Sequence, residues 1–588
     1  MARKPLELSS VYTQDTEAKY IADLWFRYHS QMNEKIADWK ELRNYIFATD
    51  TTKTTNAKLP WKNKTTLPKL CQIRDNLHSN YISALFPNDD WLRWEAYSKD
   101  GAMKIKVDAI EAYMSNKTRE GHFRTEMSKL LYDYIDYGNA FAMPTYESSY
   151  NEDNSGEINA NYIGPKVIRI SPLDIVFNPI SSSFKDSFKV IRSIKTIGEL
   201  KAQVKDDPQS AGWLEKALTN RSELIKHANA YGLDDLNKSE GYMMDGFGNF
   251  FEYLQSGYVE VLTFYGDLHN QSTGELETGK IITVIDRSWV INRENYPSWL
   301  GHAPIYHVGW RSRPDNLWSM GPLDNLVGMQ YRLDHLENLK ADAMDLAVLP
   351  PLVISGEVEQ FEYQPGGEIH IDENGAINEL GKNAQWVIQA NNEINYILSL
   401  MEQFAGAPSE AMGIRTPGEK TAFEVQQLQN AAGRIFQEKI TTFEIELLEP
   451  ILNSMLEVAR RQLDAVDIVR VMDDDIGVQT FMEIKKDDIT ASGKLRPIGA
   501  RHFAAQSQLM QNLQGIAGSP MMQLLAPHTS SKALAALVED VMGLSRYQLF
   551  KPNVAIFEQQ ETQRLMNQAG EDLQMEMSVD PQTGMVNK

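Results

Sequence analysis

Thr416-Pro417-Gly418-Glu419 opens the stretch on which the reading of this chain turns. Thr is a good helix N-cap, Pro is favoured at the first helical position, and Glu at N3 completes a capping box. Behind it come Val425, Leu428, Ala432, Phe436, Ile440, Phe443, Leu447, Ile451, Met455 and Val458. The nine steps between them span 33 residues and average about 3.67, the period of a helix and not of a strand. Run continuously from 417 to 463, that helix is roughly 70 Å long at about 1.5 Å per residue, with a kink expected at Pro450. A helix of that length does not fit inside one ordinary compact domain, so the spacing predicts an elongated or assembled structure.

The elements before it form a pattern of their own. Gly321-Pro322 opens a helix in which Leu326, Met329, Leu333, Leu336, Ala343 and Ala347 recur near helical spacing, and Pro350-Pro351 stops it. Leu352 to Leu380 holds short β-like runs around Pro365-Gly366-Gly367 and Asn374-Gly375. Trp386 to Phe404 is helical again, and Ala405 to Arg415 is a loop rich in Gly, Ala and Pro.

The N-terminal half reads as a mixed body. Helices are expected over 15–47, 68–85, 105–116 and 123–137, the last closed by Gly138, with a polar loop at 53–66. Asn139–Tyr146 and Lys166–Ile170 read as strands, Thr196–Tyr231 as helix, and Gly232–Asn249 as a long loop. Tyr258–Tyr265 and Lys280–Asn292 read as two strands joined by a hairpin loop. Beyond the long helix come a β-like patch at Val478–Ile484, helices from about Ala500 to Tyr547, and a polar tail after Glu558. The fold class is α+β, predominantly helical.

Composition narrows the function. The 588 residues are several domains' worth, and 42% hydrophobic with 23% charged suits a folded, soluble chain. Cys71 is the sole cysteine, so neither an internal disulfide nor a cysteine zinc site is available, in keeping with a reducing cytoplasm. Its place in Leu70-Cys71-Gln72-Ile73 favours packing over nucleophilic work. The N-terminus lacks a secretory signal's apolar segment, and Leu346–Ile354 is too short for a membrane span. The net charge of −22 opposes a conventional DNA-gripping protein, because phosphate neutralisation needs cations. It is compatible with a protein that must keep DNA from sticking.

Motifs that carry chemistry are missing. Ala491-Ser492-Gly493-Lys494 lacks the earlier glycine of a phosphate loop, and neither G-x-G-x-x-G after a strand, H-E-x-x-H nor G-x-S-x-G occurs. Asp473-Asp474-Asp475 reads as a solvated acidic turn. His370 with Asp372, and His302 with His307, could ligate a metal, but structural histidines are the commoner case. Trp91, Trp94 and Tyr97 could stack on bases, yet Asp89 and Asp90 beside them favour packing. No catalytic residue, metal or cofactor is expected, and the chain reads as a non-enzyme.

The order helix, break, strand-rich tip, helix, glycine-rich loop, long helix resembles the portal (head-to-tail connector) proteins of tailed bacteriophages, the short-tailed type in particular. Three local stretches carry the likeness. Tyr137-Gly138-Asn139-Ala140-Phe141-Ala142 looks like the family's helix-to-strand junction. Arg169-Ile170-Ser171-Pro172-Leu173-Asp174 with Asn178-Pro179 resembles the strand that follows. Gly413-Ile414-Arg415 with Gly418-Glu419-Lys420-Thr421-Ala422 looks like the boundary between tunnel loop and helix. The likeness covers roughly residues 15–500.

The resemblance implies a portal fold: residues 1–320 as wing, 321–349 as the first stem helix, 350–383 as clip, and 384–404 as the second stem helix. Residues 405–418 would be the tunnel loop, 419–463 the long helix, 464–557 the crown, and 558–588 a flexible tail or barrel extension. It further implies a homo-oligomeric ring, a dodecamer, at one capsid vertex of the virion, assembled in the host cytoplasm. Its partners would be the major capsid protein and scaffold, terminase, tail adaptor proteins, and the double-stranded DNA passing through; no membrane is involved. Arg415, Thr416 and Lys420 would then lie near the DNA, and Asp334 and Glu337 of the first stem helix would face the channel. Phe361, Tyr363 and Ile369 of the clip would dock partners. Acids around a channel would repel the DNA backbone and keep it mobile; equally, they could solvate an outer face. Competing readings are another virion assembly protein (adaptor, scaffold or tail component) and an enzyme with an unrecognised site.

Overall fold

The computed structural model describes residues 15–86, 91–96, 103–152, 158–205, 207–231, 257–269, 274–348, 352–355, 376–379, 385–405, 435–463, 467–472, 479–490 and 492–497. The chain divides into two compact units, Met1–Ala465 with Lys485–Gly499, and Val466–Ile484 with Ala500–Lys588. The described part of the second is the antiparallel hairpin Asp467–Met472 with Gln479–Ile484. All that follows concerns the first unit, a mixed α+β body as expected.

Its N-terminal helices are α1 (Thr16–Gln31) and α2 (Asn33–Ile46), one expected helix broken at Met32. Next come α3 (Lys69–Leu85), strand β1 (Leu92–Ala96), α4 (Met103–Glu120) and α5 (Phe123–Asp136). Strands β2 (Asn139–Glu152) and β3 (Ile158–Ile170) pair over most of their length, several residues longer than the sequence suggested.

A five-stranded antiparallel sheet follows in simple order: β4 (Ile175–Phe177), β5 (Lys189–Thr196), β6 (Tyr258–His269), β7 (Leu276–Ile285) and β8 (Trp289–Asn295). Helices α6 (Ile197–Gln203) and α7 (Pro208–Tyr231) lie between β5 and β6 in the chain, and Thr196 with Glu199 forms the capping box that starts α6. Strand alternation explains why both sheet faces are covered. On β6, Leu262 and Phe264 point into a core shared with Ile21, Leu24 and Trp25 of α1. Val259 and Val261 point the opposite way, into a second core with Leu200, Leu214 and Ala217 of α6 and α7.

The expected single strand over 280–292 is instead the hairpin of β7 and β8, which register Ile285 against Trp289. Asp286 and Arg287 both take positive φ, 49° and 55°, as a tight hairpin turn requires. No glycine marks the turn, so alternation alone concealed it. Two buried ion pairs hold it in place: Arg221 with Asp286, and Arg287 with Glu260 at 2.7 Å.

Strand β9 (Tyr306–Gly309) adds to β2, and β10 (Arg311–Arg313) with β11 (Asn316–Met320) leads into a short 3-10 turn, Asp324–Leu326. From there run α8 (Val327–Val348), the antiparallel pair β12 (Leu352–Ser355) and β13 (Ala376–Glu379), and α9 (Gln385–Phe404). Helix α8 begins at Val327, not at Gly321: the 3-10 turn leads straight into it, and Gly321 N donates to Asp324 Oδ2 at 2.8 Å ahead of that turn.

Of the predicted long helix, the part starting at Thr416 lies outside the described residues. Residues 435–443 are α-helical, Glu444–Leu448 is a π turn, and α10 (Glu449–Gln462) continues. The irregularity expected at Pro450 therefore takes the form of a wider turn just ahead of it. Pro450 follows that turn directly: Glu449 N–H bonds back five residues to Glu444 O, and the helix widens at the point where proline has no N–H to continue the ladder. Tyr81 stacks on Phe436 at 5.0 Å and Tyr134 meets Phe443 edge-on at 5.2 Å, seating this helix on α3 and α5. Gly493–Pro497, expected in the crown, forms strand β14 against β1 of the N-terminal body. No helix among the described residues is long and apolar enough to cross a membrane.

Candidate functional site

The candidate site is where the N-terminal body meets the helix–hairpin–helix segment formed by α8, β12–β13 and α9. It starts at the junction Tyr137-Gly138-Asn139. Gly138 has φ +68°, the left-handed conformation that ends a helix. A Cβ there would lie 2.3 Å from Gly321 N and Met320 C, so no side chain fits. Gly321 is equally confined, since its Cβ would meet Ile135 O at 2.8 Å. The two glycines let the end of α5 touch the chain that leads into α8.

Asn139, fully buried, fixes the same junction. Its Nδ2 donates to Tyr137 O at 2.8 Å and Ser319 O at 2.9 Å, and its Oδ1 accepts from Ser319 N at 3.0 Å. His307 Nε2 lies 3.1 Å from that same oxygen. One amide thus ties together the α5 end, β9 and β11. The quoted junction motif has a mechanical meaning: a turn only glycine can make, then a side chain that satisfies three neighbouring backbone groups.

Helix α8 is held along one edge by the loop before α3. Asp342 accepts from the N–H groups of Lys62 and Asn63, each at 3.0 Å, and from Asn63 Nδ2 at 2.8 Å. Asn338 makes a two-way pair with Thr65, accepting its N–H at 2.8 Å and donating to its carbonyl at 2.7 Å. Asp334 accepts from Leu67 N at 3.0 Å and Thr66 Oγ1 at 2.9 Å, while Gln330 Nε2 donates to Leu67 O at 2.6 Å. The partners 330, 334, 338 and 342 recur every four residues, a rise of about 6 Å. Backbone residues 67, 65 and 63 recur every two along an extended segment, about 6.8 Å. The two periods nearly match, so one helix edge reads one strand edge.

This placement decides several expectations. Asp334 has no exposed surface, and all its hydrogen bonds are internal. It is therefore not a channel-facing acid: its carboxyl is enclosed within the protomer by the Thr66, Leu67 and Gln330 donors. Burial pushes its carboxyl above the usual range in spite of those donors. Partial burial pushes Asp342 up as well, but the Asn63 and Lys62 donors prevail and hold it below the usual range. Glu337 is half-buried and pairs with Lys340 at 2.5 Å. On the second helix, Glu393 meets Arg332 at 2.9 Å and Glu402 meets Lys69 at 2.5 Å. The acids of α8 and α9 thus serve the fold of one protomer.

Apart from the exposed Arg332–Glu393 pair and Asp345, what α8 and α9 leave outside is apolar or neutral. Tyr331, Leu339, Met344 and Leu346 are exposed on α8, and Ile388 (63%), Tyr396 (65%) and Phe404 (56%) on α9. The same helix α9 exposes Gln389, Asn391, Asn392, Asn395, Ser399 and Gln403, and has no Lys or Arg.

Arg415, Thr416 and Lys420, and the clip residues Phe361, Tyr363 and Ile369, lie outside the described residues. So do His370, Asp372, Asp473–Asp475 and Tyr97. His307 packs flat on Phe141 at 4.6 Å, and burial holds its imidazole down at about 3, so it stays neutral in its place beside Asn139. His302 Nδ1 lies 2.8 Å from Ala303 O. Trp91 stacks on Phe123 at 5.6 Å, and Arg460 lies over Trp94 at 5.6 Å; both tryptophans are buried, which supports the packing reading. Burial and then Asp75 raise the Cys71 thiol, disfavouring the thiolate. Sequence reasoning missed Asn139, Asn338 and Gln330 as fixing residues. A visible signal existed: four polar residues at every fourth position of an otherwise apolar-patterned helix.

No protein-family model matches the chain, and no curated protein is significantly similar to it.

Proposed function

We propose that this chain is the protomer of a portal ring: the conduit for genome packaging and ejection, and the attachment site for terminase and tail. The observation that carries the reading is the segment α8, β12–β13, α9, set between an α+β body and the helical run 435–462, with large apolar side chains exposed on both helices. A ring whose subunits repeat one heterologous contact needs two such patches on each chain, one for each neighbour. Tyr331, Leu339 and Leu346 on α8, and Ile388, Tyr396 and Phe404 on α9, supply candidates for the two.

The passage of DNA follows a different electrostatic logic from the one composition suggested. Carboxylates already paired with a cation of the same protomer, as Glu337, Glu393 and Glu402 are, repel a duplex little. A helix such as α9, with no cation, cannot hold DNA through counterion release. Its exposed amides and hydroxyls offer weak, replaceable contacts. On this reading the channel lets DNA slide because it is neutral, with the overall charge of −22 acting at longer range.

The partners are those of a connector: identical subunits, capsid protein and scaffold, terminase, tail adaptors and the duplex. The test is assembly. Twelve protomers of 66.8 kDa make a particle of about 800 kDa, resolvable by mass photometry. Ile388→Glu with Tyr396→Glu should leave the protomer folded and remove that particle. A wild type that stays monomeric, or a double variant that assembles normally, defeats the reading.

A further inference from the structure

We propose that residues 62–67 form a releasable strap across α8, which opens by local unfolding while the helices beneath stay folded. Two buried anchors bracket the segment: Trp61, stacked on His335 at 5.1 Å, and Leu70, which has no exposed surface. Between them no residue from Lys62 to Lys69 is buried. The strap is therefore held mainly by polar contacts: to Gln330, Asp334, Asn338, Asp342 and Asp345 of α8, and to the loop before it, where Lys64 O accepts from Thr51 N and Lys64 Nζ donates to Leu59 O, each at 3.0 Å. Segments with few apolar contacts and solvent-accessible hydrogen bonds populate the low-stability end of a protein's opening spectrum. Water can replace the strap's bonds at Asn63 and Asp342 directly, because both are partly accessible. Opening uncovers the polar edge of α8, above all the buried Asp334 carboxylate, and detaches that helix from the segment leading into α3. The strap thus masks the Asp334 carboxylate in one state and presents it in the other. Its bearing on a channel rests on the portal reading; the opening itself does not.

Amide hydrogen exchange of the full chain in increasing urea tests this. The Asn63, Thr65 and Leu67 amides should exchange at least about tenfold faster than those in the middle of α3 and α8, with almost no urea dependence, since little surface is exposed. Asp342→Ala should accelerate these amides further and leave α3 and α8 unchanged. Exchange of the three amides in step with α3 and α8, at the same urea dependence, would overturn the proposal. So would an Asp342→Ala protein whose strap amides are as protected as the wild type's. Mass photometry of the same samples keeps the two ideas apart: a local opening in a protein that forms no ring sinks the portal reading and spares the strap.

Discussion

Replacing Gly138 by Ala isolates the constraint on which the junction depends, provided it is compared with Gly301→Ala. Both glycines have nearly the same positive φ, +68° and +69°. Both substitutions therefore incur the same left-handed penalty, about 1–2 kcal/mol. Their surroundings differ completely. At Gly301 an added Cβ meets nothing within 4 Å, whereas at Gly138 it meets backbone atoms of Met320 and Gly321 at 2.3 Å. Backbone cannot swing aside as a flexible side chain does, so the chain entering α8 must shift, at an overpacking cost of about 1–3 kcal/mol. Any such shift also stretches the Asn139 bonds to Ser319, buried contacts whose loss costs about 1–3 kcal/mol. The expectation is a loss of about 1–2 kcal/mol for Gly301→Ala and about 3–8 kcal/mol for Gly138→Ala. Urea unfolding of both variants beside wild type, followed by tryptophan fluorescence, reads the difference. Equal midpoints for the two variants would refute the claim that close backbone approach, and not φ alone, selects glycine at 138.

Three further outcomes follow from the same geometry. Arg287→Met leaves Glu260 buried without its bidentate partner and should cost about 3–5 kcal/mol by urea unfolding; adding Glu260→Met should recover most of that loss, and a double variant as weak as the single one would count against the pair. His307 stays neutral in the fold down to about 3 while an unfolded histidine protonates near 6.5, so stability falls as pH drops through that window, by at most ~1.4 kcal/mol per pH unit. His307→Gln should flatten that slope between pH 6.5 and 4.5, and unchanged slopes would show that His307 is not the titrating group. Asp75→Asn removes a charge that raises the Cys71 thiol and should speed alkylation by iodoacetamide several-fold at pH 8, whereas an unaltered rate would mean burial alone governs that thiol.

The sequence disclosed those elements whose apolar residues face one way over many turns. Helix α9 was placed within a residue or so, and the C-terminal end of the long helix within one, because Ile394, Ile397 and Met401, or Ile440, Phe443 and Leu447, lie on single buried faces. The β7–β8 turn was hidden because Asp286 and Arg287 reach positive φ with the help of distant partners, Arg221 and Glu260, that no local pattern shows. Strand β5 was missed for a related reason. Its Lys189 is fully buried, donating to Ser187 O at 2.7 Å and lying over Phe184, where a sequence reader expects an exposed lysine. At the candidate site, composition proclaimed the acids and misjudged their use. Asp334 and Asp342 look like a charged surface in one dimension, but in three they terminate the hydrogen bonds of a segment some 270 residues earlier. Charge counts ignore partners, and partners decide which carboxylates are left to act on a ligand.

The central claim is that these protomers close around an axis. Negative-stain electron microscopy of the purified chain tests it most directly: end-on views should show rings of one diameter with a stain-filled central hole, of about twelve subunits as the portal resemblance implies. Solitary particles near 66.8 kDa at every concentration, with no perforated ring, would contradict it.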